Sequence, residues 1–254
     1  MTATWADGPM AAFDLETTGT DVEVDRIVTA SVVRIDGRTP RVRSWLADPG
    51  VEIPAGATEV HGISTEHARS HGGPAADVVE QVRDALEGAL FDGGPLVIFN
   101  ASFDLSLLDR ECRRHGVPVL GEVRAPLRVV DPLVIDRATD PYRKGKRTLE
   151  IVAALHKVPL SKEEAHTSAG DCLAAARVAW CQARRTPVGA LGLDELQVWQ
   201  REQHVRWAES FEAYLRTQGK GDVIDRSWPI RPYVTPDGGM FEVAAPAPAS
   251  GGLL

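Results

Sequence analysis

Phe13-Asp14-Leu15-Glu16-Thr17-Thr18-Gly19 follows an apolar run, Met10 to Phe13, and closes on a Thr-Thr-Gly turn signal. That is the pattern of a β-strand running out into a loop. Side chains alternate along a strand, so Asp14 and Glu16 share one face and Phe13 and Leu15 the other. Two ionised carboxylates about 6 Å apart repel by roughly 2 to 3 kcal/mol at an effective dielectric of ~20, a large fraction of a domain's stability. A nearby cation would offset this, and closely set oxygen ligands favour a hard divalent ion such as Mg²⁺ or Mn²⁺ over zinc. The same lettering also suits a strand end whose two acids face water.

Working outward, Ile27 to Ile35 is β-branched and alternating, and Asp36-Gly37 is a hairpin signal leading to a third strand over Val42 to Ala47. These three strands form an antiparallel meander. Pro54 to Ser64 reads as loop, with His61 inside it. Ala75 to Leu90 has the apolar spacing of an amphipathic helix, and Leu96 to Phe99 reads as a short buried strand. Ala101 to His115 is a second helix, and Val129 to Val134 the returning parallel strand. Further helices are expected over Thr148 to Leu155 and Ala169 to Arg184. The fold class is therefore α/β: a mixed five-stranded sheet, antiparallel for strands 1 to 3 and parallel for 1, 4 and 5, flanked by helices.

After Thr186-Pro187 the composition changes, and Leu193 to Leu215 carries one long helical pattern with an aromatic stripe including Trp199, Trp207 and Phe211. It can pack back on the domain, self-associate or dock a partner; packing back is favoured, because such stripes usually face a core. Residues 1–187 are expected to form one domain, 188–218 the long helix on or beside it, and 219–254 an extended tail. Trp228 to Pro232 can be pinned, whereas Ala244 to Gly252 has little to bury.

Two further acids lie where strands meet helices. Asp104, in Asn100-Ala101-Ser102-Phe103-Asp104, falls in the first helical turn after a buried strand, a usual ligand crevice, although an acid there also suits the helix dipole alone. In His166-Thr167-Ser168-Ala169-Gly170-Asp171, Ser168 and Asp171 have capping-box-like spacing. Five residues along a helix are ~140° out of phase, so His166 meets Asp171 only from the loop before the helix. Arg137 to Arg147 gathers five cations, which suit either a phosphate backbone or a solvated loop.

With 254 residues, 43% hydrophobic and 25% charged, the chain has an ordinary globular composition. A net charge of −8 excludes nucleic-acid binding through bulk basic charge, but not through ions held in an acidic site. Cys112, Cys172 and Cys181 lie in helical segments without metal-ligand spacing, as reduced thiols of a cytoplasmic protein would. No apolar run reaches the ~20 residues that span a bilayer, so no membrane association is expected.

Taken in order, Asp-x-Glu, Asp and His-x4-Asp closely resemble the three signature blocks of the His-type DEDD exonucleases. This is the DnaQ-like superfamily, which includes the epsilon proofreading subunit of bacterial DNA polymerase III, ribonuclease T and oligoribonuclease. The resemblance covers about residues 9 to 185, and Val60-His61-Gly62-Ile63-Ser64 is similar to a fourth, family-typical loop. It implies a ribonuclease H-like fold and release of mononucleotides from 3′ ends. By the same resemblance, Asp14, Glu16, Asp104 and Asp171 hold two Mg²⁺ or Mn²⁺ ions, and His166 takes the proton of the attacking water. Leu15, Thr17, His61 and Phe103 contact the terminal nucleotides. Single-stranded DNA 3′ ends, with RNA as the alternative, are the implied substrate, and a DNA polymerase is a candidate partner. An RNA-trimming enzyme and a non-catalytic end-binding module remain as rival readings. Ser168 departs from the alanine common at its position, a change expected to be harmless.

Overall fold

The computed structural model describes residues 4–37, 39–121, 126–161, 165–234 and 240–241. Its central strand, β1 (Met10–Thr17), runs four residues beyond the apolar stretch. On one side it pairs antiparallel with β2 (Ile27–Ile35), which pairs with β3 (Arg41–Asp48). On the other it pairs in parallel with β5 (Leu96–Val97), followed by β6 (Val129–Val130). The five expected strands are joined by a sixth, β4 (Gly73–Pro74), which lies parallel to β3 and gives the order β4-β3-β2-β1-β5-β6.

Alternation along β1 divides the core in two. Ala11, Phe13 and Leu15 pack against α3 (Ala75–Phe91) and α4 (Ala101–His115) through Val82, Leu86, Leu105 and Leu108. Met10 and Ala12 face the other way, onto α7 (Ser168–Arg185), whose Cys172, Ala175, Ala176 and Ala179 let the helix lie close to the sheet. Helices therefore cover both faces of a mixed sheet, the architecture expected of ribonuclease H-like folds.

Three expectations are corrected. The segment from Pro54 is not a loop: α1 (Ala55–His61) forms there, and α2 (Thr65–His71) follows behind a Ser64 cap. With no buried residue, α1 leaves no apolar periodicity to detect; it ends at Gly62, whose φ of +78° suits glycine. The strand expected over Val129 to Val134 stops at Val130. Asp131 there caps α5 (Pro132–Thr139), accepting the amides of Leu133 and Val134, and Pro132 at the first helical position starts the helix. Leu96 to Phe99 likewise shortens to Leu96–Val97 as the chain turns into α4.

Beyond α6 (Leu149–His156) and α7 lies the long helix α8 (Leu193–Thr217), packed back on the sheet. Leu196 is fully buried in the same core as Ala12, Val97 and Val130. Two side-chain amides hold the helix against β6. Gln197 accepts from Val129 N (2.9 Å) and donates to Val129 O (2.8 Å), while Gln200 accepts from Asp131 N (2.7 Å) and donates to Val129 O (2.8 Å). The chain then returns over α4: Trp228 Nε1 donates to Asp131, Arg231 N to Ser106 Oγ, and Arg110 to the carbonyls of Arg231 and Pro232. β7 (Tyr233–Val234) pairs with β8 (Met240–Phe241). Ala244 to Gly252 lies outside the described residues. The three cysteines are buried free thiols, and no described helix is long and apolar enough to cross a membrane.

Candidate active site

The parity that places Met10 and Ala12 against α7 carries Asp14 and Glu16 onto the same face. Across the ladder they pair with Ser31 and Thr29 of β2. Ser168, at the start of α7, bonds to both: its Oγ is 2.7 Å from Ser31 Oγ and 3.4 Å from that of Thr29. The helix is thereby seated above the two acids, and Asp171, one turn on, reaches them. One carboxylate oxygen each from Asp14, Glu16 and Asp171 lie within 4.8 Å of one another. The helix cap is Thr167, whose Oγ1 accepts Gly170 N at 3.2 Å, one residue earlier than the capping-box reading on Ser168. His166 precedes it with φ +63°, in the loop position that convergence with Asp171 requires.

Asp104 arrives from the other side. β5 leaves β1 after Ala12↔Val97, so the Leu15 amide on that edge has no strand partner; Asp104 Oδ1 accepts it at 3.1 Å. This sets Asp104, in the first turn of α4, beside Leu15 of β1 but outside the three-oxygen cluster. At the end of the motif, Gly19 is required by close approach, since a Cβ there would lie 2.5 Å from Asp25 Oδ2.

These positions can be set beside known proteins. The model of the exonuclease family matches residues 11–179, two thirds of the chain. The chain belongs to the exonuclease family. A DNA polymerase III subunit epsilon-like protein of Rhodobacter capsulatus is 33% identical over 168 residues, covering 65% of this exonuclease chain and 22% of that protein. A PolC-type DNA polymerase III of Lacticaseibacillus paracasei is 28% identical over 170 residues, covering 65% and 11%. The chain thus spans less than a quarter of the length of either relative. Escherichia coli exonuclease I, solved with a dT13 oligonucleotide, shares the fold with a TM-score of 0.59 at 18% identity, over 71% of this chain and 42% of that one. Together they place the exonuclease in the DnaQ-like superfamily.

The electrostatics of this candidate site follow from its partial burial and its crowding. Burial lifts the Asp14 carboxyl well above the usual range, and Asp104, Asp171 and Glu16 add to the rise. Glu16 is pushed up to about 8 by burial and then by Asp171. Asp171 rises to about 6, chiefly by burial, with His166 opposing. Asp104 is also held well above its ordinary value by burial, with the Leu15 amide opposing. Cys172, beneath them, is kept a neutral thiol by burial and the same acids, its Sγ donating to Ser31 O. Among the described residues, the charged neighbours acting on Asp14 are carboxylates, and the donor set is all oxygen. Asp14, Glu16 and Asp171 therefore fit a hard divalent cation.

At the rim, His166 is half exposed, with Nε2 3.5 Å from Glu150 Oε1 on α6. No local sequence signal marked Glu150, because α6 and the His166 loop meet only in the fold. His61 lies against the Thr17 backbone, its pKa held down by burial; its Nδ1 accepts Ile63 N at 3.1 Å. Its Nε2 is buried without a hydrogen-bond partner among the described residues. Thr17 Oγ1 donates to Gly19 O, Leu15 is buried, and Phe103 is a partly buried side chain on the core. The basic segment divides: Arg143 and Arg147 turn inward onto the buried Asp136, leaving Lys144 and Lys146 exposed.

Proposed function

We propose that this chain is a metal-dependent 3′ to 5′ exonuclease that releases nucleoside 5′-monophosphates from single-stranded or frayed DNA 3′ ends. What carries this reading is the meeting of Asp14, Glu16 and Asp171, oxygen to oxygen within 4.8 Å, in a partly buried setting where the acids raise one another's pKa. Asp14, Glu16, Asp104 and Asp171 would hold two Mg²⁺ or Mn²⁺ ions. Bound there, the ions supply charge stabilisation to phosphate oxygens and acidify a coordinated water. His166 Nε2 would accept that water's proton, with Glu150 steadying the imidazolium. The unpartnered His61 Nε2, with Leu15, Thr17 and Phe103, would hold the terminal nucleotide. The epsilon-like name of the Rhodobacter capsulatus relative supports proofreading or repair beside a DNA polymerase. Three buried free thiols accord with a cytoplasmic setting.

The test is digestion of matched 5′-labelled DNA and RNA oligomers, single-stranded and duplex, with Mg²⁺ or EDTA. The expected result is a descending ladder from the 3′ end of DNA, abolished by EDTA and by Asp14→Ala. Release from 5′ ends, or equal release by Asp14→Ala and the parent, overturns the reading; preference for RNA transfers it to an RNA-trimming role.

A further inference from the structure

The segments after residue 187 help to wall a cavity of about 350 Å³. Its lining includes Asn100 just before α4, Ser102 of α4, Arg137 of α5, Trp207 of α8, and Asp225 and Arg231 of the returning chain. Its α4 wall begins at the edge of the sheet where the acids lie. Asn100 and Ser102 lie within about one turn of Asp104, and β5 and β6, which lead into α4 and α5, are the first and second neighbours of β1. At ~4.8 Å per strand, the cavity begins roughly 10 Å from β1.

Its chemistry is that of a nucleotide. The Arg137 guanidinium stacks 3.5 Å from the Trp207 ring centroid and, among the described residues, has no carboxylate within ion-pair distance, unlike Arg143 and Arg147 nearby. Arg231 is partly exposed and only loosely paired, 4.0 Å from Asp225 Oδ2. Asp225 is itself engaged by Ser227 N, and the Asp131 and Asp136 carboxylates that act on Arg137 lie outside the cavity lining. From Trp207 an aromatic ladder continues along α8. Phe211 stacks on Trp207 with centroids 5.6 Å apart, and Tyr214 on Phe211 at 6.3 Å, with Phe211 and Tyr214 exposed at 37% and 56%. Guanidiniums recognise phosphates, and aromatic faces take bases without regard to sequence.

We infer that this cavity is a subsite for the nucleic-acid strand upstream of the reacting 3′ end, with Arg137 and Arg231 on its phosphates, Trp207 holding the Arg137 guanidinium in place, and the exposed Phe211 and Tyr214 against its bases. The inference rests on the exonuclease reading for its direction but is tested by binding alone. Fluorescein-labelled oligo-dT of two to eight nucleotides is titrated with the full chain by anisotropy, with Ca²⁺ replacing Mg²⁺, at several salt concentrations. Parent affinity should rise with length up to about six nucleotides. Arg231→Gln should weaken hexamer binding about tenfold and flatten the slope of log K against log salt by about 0.7, the value for one lost phosphate contact on a single strand. Trp207→Ala should also cost about tenfold, by loss of the stack that holds Arg137 and supports Phe211, while Arg231→Lys and Trp207→Phe keep most of the affinity.

Hexamer affinity and salt slope unchanged in both Arg231→Gln and Trp207→Ala would overturn the inference, as would dinucleotide and hexamer binding falling equally. A parent that digests 3′ ends while these variants bind as it does leaves the exonuclease reading standing without the subsite. A parent that binds by length but digests nothing does the reverse, and an RNA oligomer series separates the two sugars.

Discussion

At the scale of single residues, the site is a set of acids that the fold holds against their own repulsion. Each elevated carboxyl binds a proton in the folded chain that it has released in the unfolded one. For Asp171 and Glu16 the stability this brings is full below their ordinary values near 4, and is lost as pH rises through about 6 and then about 8. The metal-free protein should therefore melt progressively lower between pH 5 and 8.5, and Mg²⁺ should restore more at the upper end; a flat metal-free profile in calorimetry would contradict this. Asp14→Asn removes the most crowded charge, so it should raise the metal-free Tm while losing the Mg²⁺-induced shift and nucleotide release together. His166→Ala should keep the Mg²⁺-induced shift in Tm but lose about 10² to 10⁴ in rate; loss of the shift would make His166 a ligand instead. Asp14, Glu16, Asp104 and Asp171 were legible because each sits in a short block with local spacing. Glu150 and the Asp131 carboxylate, which accepts the amides of Asn100 and Ala101, were not, because their partners are remote in sequence. Asp131-Pro132 did carry a helix-start signal, overridden by the apolar letters around it.

At the scale of elements, Ser168 and the pair Gln197 and Gln200 decide how two helices seat. Ser168→Ala leaves Ser31 its bond to Ser44, so it should cost only about 1 kcal/mol by denaturation, in keeping with a harmless departure. Gln200→Ala strands the buried Asp131 amide, a loss of about 1 to 3 kcal/mol, or some 2 to 10 °C in Tm. Ile27 to Ile35 was readable to the residue because its β-branched alternation faces two different environments. α1 was not, since none of its side chains is buried and periodicity exists only where one face is. The returning strand was overextended because Val129-Val130 and Leu133-Val134 are equally apolar, though the first pair lies in the sheet and the second in a helix.

Across the whole molecule, the segments after residue 187 are bound into the domain before them. Leu196 completes a core begun by Ala12, and Trp228 sits in the other core with Phe13. A chain ending at residue 187 should therefore be less stable, with Val129 and Asp131 amides uncovered, and should lose more affinity for long oligonucleotides than for short ones. A truncated chain that melts like the full one would show that this region is only attached. The sequence announced the helix through its aromatic stripe but not its seating, because glutamines that bond to backbone read as ordinary surface letters.

Those two glutamines have a consequence beyond stability. The outward amides of the final strand, at Val129 and Asp131, are already engaged, and the opposite margin is two residues long and ends in a proline that has no amide to give. Neither margin invites an incoming polypeptide to lengthen the sheet, so fibril-like growth from the native state is blocked at both ends for as long as α8 stays down.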